Sequence, residues 1–324
     1  MSESIELVQP VVDLLEQMRA EVAPLTIKLG LTKSHFESDL FDPEESQITQ
    51  DTQGNFEIKL PNEHFADFIV AHELGHLQQE RQQIVKIGIA KSSDAQLNQA
   101  MTVIAQVIFN IALHEGMHPQ LENLNLFTDD LRTAVQGAVE HDLPAETEKS
   151  SNLQVTLMAL QIADTFTFIG EVPAWRVSYP RSFMLAEKIW TVVHATKLVT
   201  NRHLRSLLLQ IIEILSDFFE HTELSVIDLR RSLLVTPVLS ERQLKLSVRQ
   251  LFQIFHVSEQ EGIYLGLGVN DEQAAFQLQL PKMTPKQQSA KMLEIYDATV
   301  ESLFTEANLI SAPRDLVIFK SEDK

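Results

Sequence analysis

The chain has 324 residues, enough to bury a large core and to form one large domain or two ordinary ones. An apolar share of 44% beside a charged share of 22% is that of a folded globular protein and excludes a disordered one. A formal charge of −19 disfavours nucleic acid and anionic membrane surfaces as general partners and leaves cationic peptides open, while the lack of any cysteine excludes disulfides and thiolate metal sites.

Along residues 1–30, Ile5, Val8, Val11, Val12, Leu14, Leu15 and Met18 recur at helical spacing and predict an amphipathic helix. Asp42-Pro43 begins a loop rich in turn formers. Ser46-Gln47-Ile48-Thr49-Gln50 and Asn55-Phe56-Glu57-Ile58-Lys59-Leu60 then read as two short strands about a turn at Asp51 to Gly54. Pro61-Asn62 closes the second strand, and Asn62 suits a helix N-cap. A helix is expected over 63–83 and another over 94–117, the second ended by Pro119. Glu146 to Asn152 is a polar break. Further helical periodicity follows near 153–169, 181–200, 202–221 and 240–257. Residues 262–269 and 275–280 read as a late hairpin joined through Asn270-Asp271.

These elements predict an α+β fold, mostly helical: a first region over 1–200 and a mainly helical C-terminal region over 201–324 carrying the hairpin. The opening Met1-Ser2-Glu3-Ser4-Ile5-Glu6 is acidic where a secretory signal is basic, and no unbroken apolar run approaches a membrane span. Cytoplasmic localisation is the expectation, with no membrane partner and no nucleic-acid partner.

Two short strings carry chemistry. His72-Glu73-Leu74-Gly75-His76 places two imidazoles four residues apart, so on a helix both rings project from one face, one turn from each other. That spacing lets both reach one zinc ion at about 2.0–2.1 Å. Glu73 then flanks the ion as an acceptor for a water proton. Phe65, Phe68, Ile69, Val70 and Leu74 would bury the helix and hold it rigid, and the strand over 55–60 reads as a sheet edge to which an extended substrate can add.

A catalytic zinc usually takes three protein ligands, and Leu113-His114-Glu115-Gly116 offers the third. Sequence leaves His114 and Glu115 both open, with Glu115 preferred. His114-Glu115-Gly116-Met117-His118 is itself a second string of the same spacing, but Pro119 biases His118 away from helical geometry and Gly116 weakens the turn. Glu80 reads as a solvated helix charge, Asn110 as a group able to orient a ligand, and Glu140-His141-Asp142 as an exposed loop.

Over residues 55–125 the chain resembles the gluzincin metallopeptidases. Many of these carry a downstream helix with Leu-x-Glu-Gly-x-Ala-x-Tyr-x-Glu, whose first glutamate binds zinc. Leu113, Glu115, Gly116 and Glu122 stand at the matching places, with His118 and Gln120 where Ala and Tyr would be. The resemblance implies a zincin-like core and Glu115 as third ligand. It also implies a later Tyr or His as oxyanion stabiliser, for which Tyr179 is the catalytic candidate and His194 the alternative. The chain lacks the aminopeptidase Gly-x-Met-Glu-Asn segment, and Pro119 stands where thermolysin's pattern has Asp.

The expectation is therefore a zinc metallopeptidase, a hydrolase with Zn2+ on His72, His76 and Glu115, Glu73 as general base, and a peptide or protein as substrate. The rivals are a non-catalytic metallopeptidase-like sensor or interaction module, and a metal-independent helical protein in which both strings are accidents.

Overall fold

The structure, a computed structural model, describes residues 5–36, 39–257 and 260–319. The predicted first helix is α1 (Gln9–Val22), which buries Val11, Leu15, Met18 and Val22 on one stripe. Then come β1 (Ile27–Leu31), β2 (Gln47–Gln50) and β3 (Phe56–Leu60), a small sheet in the order β1-β3-β2. β3 runs parallel to β1 and antiparallel to β2, with Ile58 opposite both Leu29 and Ile48. This corrects the expectation that 55–60 is the free edge. β1, which overlaps the stretch assigned to the first helix, covers β3 on one side and β2 covers it on the other, so the sheet's edges are β1 and β2.

A short turn at Glu63–Phe65, capped by Asn62 accepting from His64 N, leads into α2 (Ala66–Glu80). Phe68, Ile69, Val70, Leu74 and Leu77 bury α2 on nearly every side, as the apolar run predicts. β4 (Ile87–Ile89) precedes α3 (Ala95–Asn123), whose N-cap Asp94 accepts from the amides of Gln96 and Leu97. Pro119 lies inside α3 and does not end it. A proline costs the helix one hydrogen bond, and burial of Met117 and Leu121 on either side offsets that loss.

α4 (Asp129–Asp142) was not foreseen, and Glu140-His141-Asp142 is its last turn, not a loop. α5 (Asn152–Ile169) starts at a Ser151/Gln154 capping box and is followed by α6 (Trp175–Ser178), α7 (Pro180–Ala195) and α8 (Asn201–Glu220). The remainder holds α9 (Leu229–Ser232), β5 (Leu233–Val235), β6 (Val238–Leu239), α10 (Glu241–Leu244), α11 (Val248–Leu251) and β7 (Phe252–His256). It ends with β8 (Ile263–Gly268), β9 (Ala274–Gln279), α12 (Pro285–Asp297), α13 (Val300–Glu306) and β10 (Ala312–Pro313). The late hairpin is β8–β9, with β7 added antiparallel to β8. The helix expected over 240–257 is instead two single turns and a strand. Capping boxes at Ser240 and Ser247 restart the chain twice, and Phe252 onward then pairs with β8.

The main core runs from α1 to β5 and includes α8, Ile318 and Phe319. A smaller core gathers Leu239, Val248, Phe252, Phe276 and Phe304. The fold is thus α+β, dominated by helices with small sheets. α3 is the one described helix whose length and composition would let it cross a membrane, and half of its apolar window is buried within the protein.

Candidate metal centre

α2 carries His72 and His76, and α3 crosses behind it with His114. The close approach depends on Gly75, where a Cβ would overlap Met117 Sδ of α3, which is itself buried. Behind α3, a Cβ on Gly116 would likewise overlap the Phe319 ring. With the helices this near, His76 Nε2 lies 3.1 Å from His72 Nε2 and 3.2 Å from His114 Nε2. Three nitrogens bound at 2.0–2.1 Å to one tetrahedral ion stand about 3.3 Å apart. Two of the three separations are therefore close to that value, and all three ligand atoms fall within 4.8 Å of one another.

The surroundings suit that use. His72 and His114 are 2% and 1% exposed. Phe68 stacks on His72 at 5.7 Å, and Phe168 packs against His114 at 4.7 Å. His114 Nδ1 is 2.7 Å from Asp164 Oδ1 on α5, a carboxylate–imidazole pair that fixes the ring with Nε2 toward the other two histidines. Burial, with His72 nearby, holds His76 and His114 well below the usual imidazole range, so both are neutral and can donate lone pairs. Burial also works against charge on His72, but Glu73, Glu44 and Asp164 leave its pKa raised. Burial pushes the Asp164 carboxyl well up, so the metal-free Asp164–His114 couple is a neutral pair.

Glu73 follows His72 on α2 and is buried. Burial would raise its carboxyl, yet His72, His76 and the Ser46 hydroxyl bring it down to about 2, so it stands ionised beside the histidines. Its Oε1 lies 2.5 Å from Ser46 Oγ, which also reaches Pro43 O at 2.7 Å. His72 Nδ1 is 3.3 Å from the same Glu73 oxygen but off hydrogen-bond alignment. A cavity of about 280 Å³ opens over these groups, lined by Glu44, Ser46, Gln47, Ile48, His72, Glu73, His76 and Asn110. The edge strand β2 forms one of its walls.

Of the residues singled out in the sequence, His72, Glu73 and His76 come together. Glu115 does not join them, which corrects the preferred third ligand. Its carboxylate faces His194 Nδ1 at 3.7 Å on another side of α3, where burial raises it to about 7. Its neighbour His114 takes the place. Tyr179 is also displaced from its expected role: the ring is buried beside Trp175, and the hydroxyl donates to Leu143 O at 3.1 Å. His194 is largely exposed and stacks on Trp190. His118 bonds through Nδ1 to Thr167 O and stacks on Phe127, so the second string does not close on one point. Glu80 is exposed at the end of α2, and Asn110 lines the cavity.

Sequence reasoning missed Asp164, Ser46 and Glu44. Asp164 had a signal: a lone acid within the apolar run Leu160-Gln161-Ile162-Ala163-Asp164-Thr165-Phe166 must be buried, and a buried acid needs a partner. Ser46 and Glu44 had none, because a loop brings them to the site. A scan against protein-family models, a search of curated proteins and a search of solved structures each find no match for this chain.

Proposed function

We propose that the chain is a zinc-dependent peptidase in which His72, His76 and His114 hold the metal and Glu73 is the general base. The observation that carries this reading is the 3.1 and 3.2 Å spacing of three imidazole nitrogens, His72 and His114 buried and His76 half-buried between them and the cavity. A zinc ion held there would lower the pKa of water to about 7 and polarise a carbonyl. Glu73, ionised and lining the same cavity, is placed to accept a proton and return it to a leaving amine. Ser46 steadies the Glu73 carboxylate, and Asp164 orients His114 and raises its basicity. β2 ends the sheet beside the cavity, so an extended peptide can add to its outer edge with Gln47 and Ile48 nearest the metal site.

The arrangement of small sheet, edge strand, motif helix and second ligand-bearing helix supports a zincin-like core. The ligand set departs from the gluzincin pattern, because histidine stands where those enzymes use glutamate. The test is metal analysis of the purified chain, followed by digestion of a broad peptide library by wild type and Glu73→Gln. The proposal requires about one zinc per chain and cleavage that Glu73→Gln abolishes. Zinc bound without cleavage in either form would favour the non-catalytic reading.

A further inference from the structure

Resting on that metal reading, we propose that Glu44 is a fourth protein ligand, a carboxylate gate that closes the open position left by the three histidines. Glu44 sits on the short turn Pro43–Glu45, whose N-cap Asp42 accepts from Glu44 N at 2.9 Å. The turn is fastened on both sides. Phe41 before it and Pro43 at its start are buried, and the Ser46 hydroxyl after it lies within hydrogen-bond reach of both Pro43 O and Glu73, sharing its one proton between them. His35 pairs with Glu45 from outside. From this anchored turn the Glu44 side chain projects over the cavity mouth, 43% exposed.

Its two oxygens have different neighbours. Oε2 accepts from Asn110 Nδ2 at 3.0 Å, while Oε1 faces His114 Nε2 at 3.7 Å. With Nδ1 engaged by Asp164, Nε2 is the ring nitrogen left to face that oxygen. At 3.7 Å the two atoms are too far apart to hydrogen bond to each other, which leaves room for a cation to be shared between them. Glu44 lies within 4.8 Å of His114 and Asp164 in a second set that shares His114 with the histidine set, while Glu44 itself stands outside the histidine set. Three histidines leave one tetrahedral position toward the cavity. Glu44 is the carboxylate at that opening, and Asn110 on α3 keeps it there. The resting site is then closed by four protein ligands, and any group entering it must first displace Glu44.

Two binding measurements, neither needing turnover, test this on the full chain. Zinc affinity is read by competition with a chromophoric chelator, and acetohydroxamate affinity is read on the zinc-loaded protein. The variants are Glu44→Gln and Glu44→Asp, the latter keeping the charge but withdrawing it by one methylene, so that either alone carries the test. The expected result is zinc affinity weakened more than threefold and acetohydroxamate bound more tightly than by wild type. Zinc affinity within threefold of wild type, or hydroxamate binding that is unchanged or weaker, overturns the gate. His72→Ala separates the two levels. If it abolishes zinc binding while the Glu44 variants change nothing, only the gate falls. If it leaves zinc binding intact, the metal reading itself falls.

Discussion

Replacing Asp164 by asparagine probes the support of the proposed metal site without touching the three histidines proposed to hold the ion. The side chain keeps its volume and an oxygen acceptor but can no longer ionise, so the 2.7 Å contact with His114 Nδ1 is held to a neutral hydrogen bond even when a cation is bound. Both side chains are almost wholly buried, at 9% and 0% exposed, so water does not screen the change. A charge-assisted hydrogen bond contributes about 1–2 kcal/mol more than a neutral one. Because the charged form of Asp164 matters most when a cation sits on His114, that difference falls on metal binding. It corresponds to about a 5- to 30-fold rise in the zinc dissociation constant. Metal-free stability should move the other way or hold still, since a neutral amide is easier to bury than a carboxyl that burial already opposes. Chelator competition and thermal unfolding of metal-free protein give the two readings. Zinc affinity within twofold of wild type would refute the argument, as would a loss of affinity matched by an equal loss of metal-free stability.

Gly75→Ala gains up to about 1 kcal/mol of helix propensity but forces a methyl into Met117, an overpacking cost of about 1–3 kcal/mol. Unfolding temperature and zinc affinity should both drop; a rise in the first with no change in the second contradicts the packing account. Glu146 accepts from the amides of Arg181 and Ser182 and from the Arg181 guanidinium, and these bonds hold its carboxyl below the usual range against the effect of burial. A lowered folded pKa gives stability that is present above about pH 4.5 and is lost as pH falls through the folded value. Glu146→Gln should therefore cost about 1–2 kcal/mol at pH 7 and progressively less in acid, as pH-dependent denaturant melts would show. Tyr179→Phe should cost about 1 kcal/mol of stability through the bond to Leu143 O and leave zinc affinity unchanged; weaker zinc binding would return Tyr179 to the site.

The part of the site legible in the sequence is the part that is local. His72 and His76 share a face because four residues make about one helical turn, whatever surrounds the helix. The proposed third ligand is different in kind. His114 and Glu115 are adjacent on α3 and point about 100° apart, so choosing between them requires the rotation of α3 against α2. That rotation is set by Met117 seated on Gly75, a contact between residues 42 positions apart in the sequence. Resemblance favoured Glu115, and the packing presents His114. The same limit explains Tyr179, whose place depends on how α6 and α7 dock on the core. In the scaffold, α5, α7, α8 and the β8–β9 hairpin were legible from period alone. β1 was hidden beside α1 by its brevity, and Pro119 was overread, since one missing hydrogen bond does not end a helix buried on both sides of it. Residues 240–257 have helical spacing, but their serine caps and the pairing of β7 decide the outcome.

The most direct measurement is zinc K-edge X-ray absorption on the chain loaded with one equivalent of zinc, comparing wild type with His114→Ala and Glu115→Gln. Three imidazole rings should surround the metal in wild type and in Glu115→Gln, and two in His114→Ala. A spectrum that changes with Glu115→Gln but not with His114→Ala, or a wild-type chain that retains no zinc, would contradict the three-histidine centre.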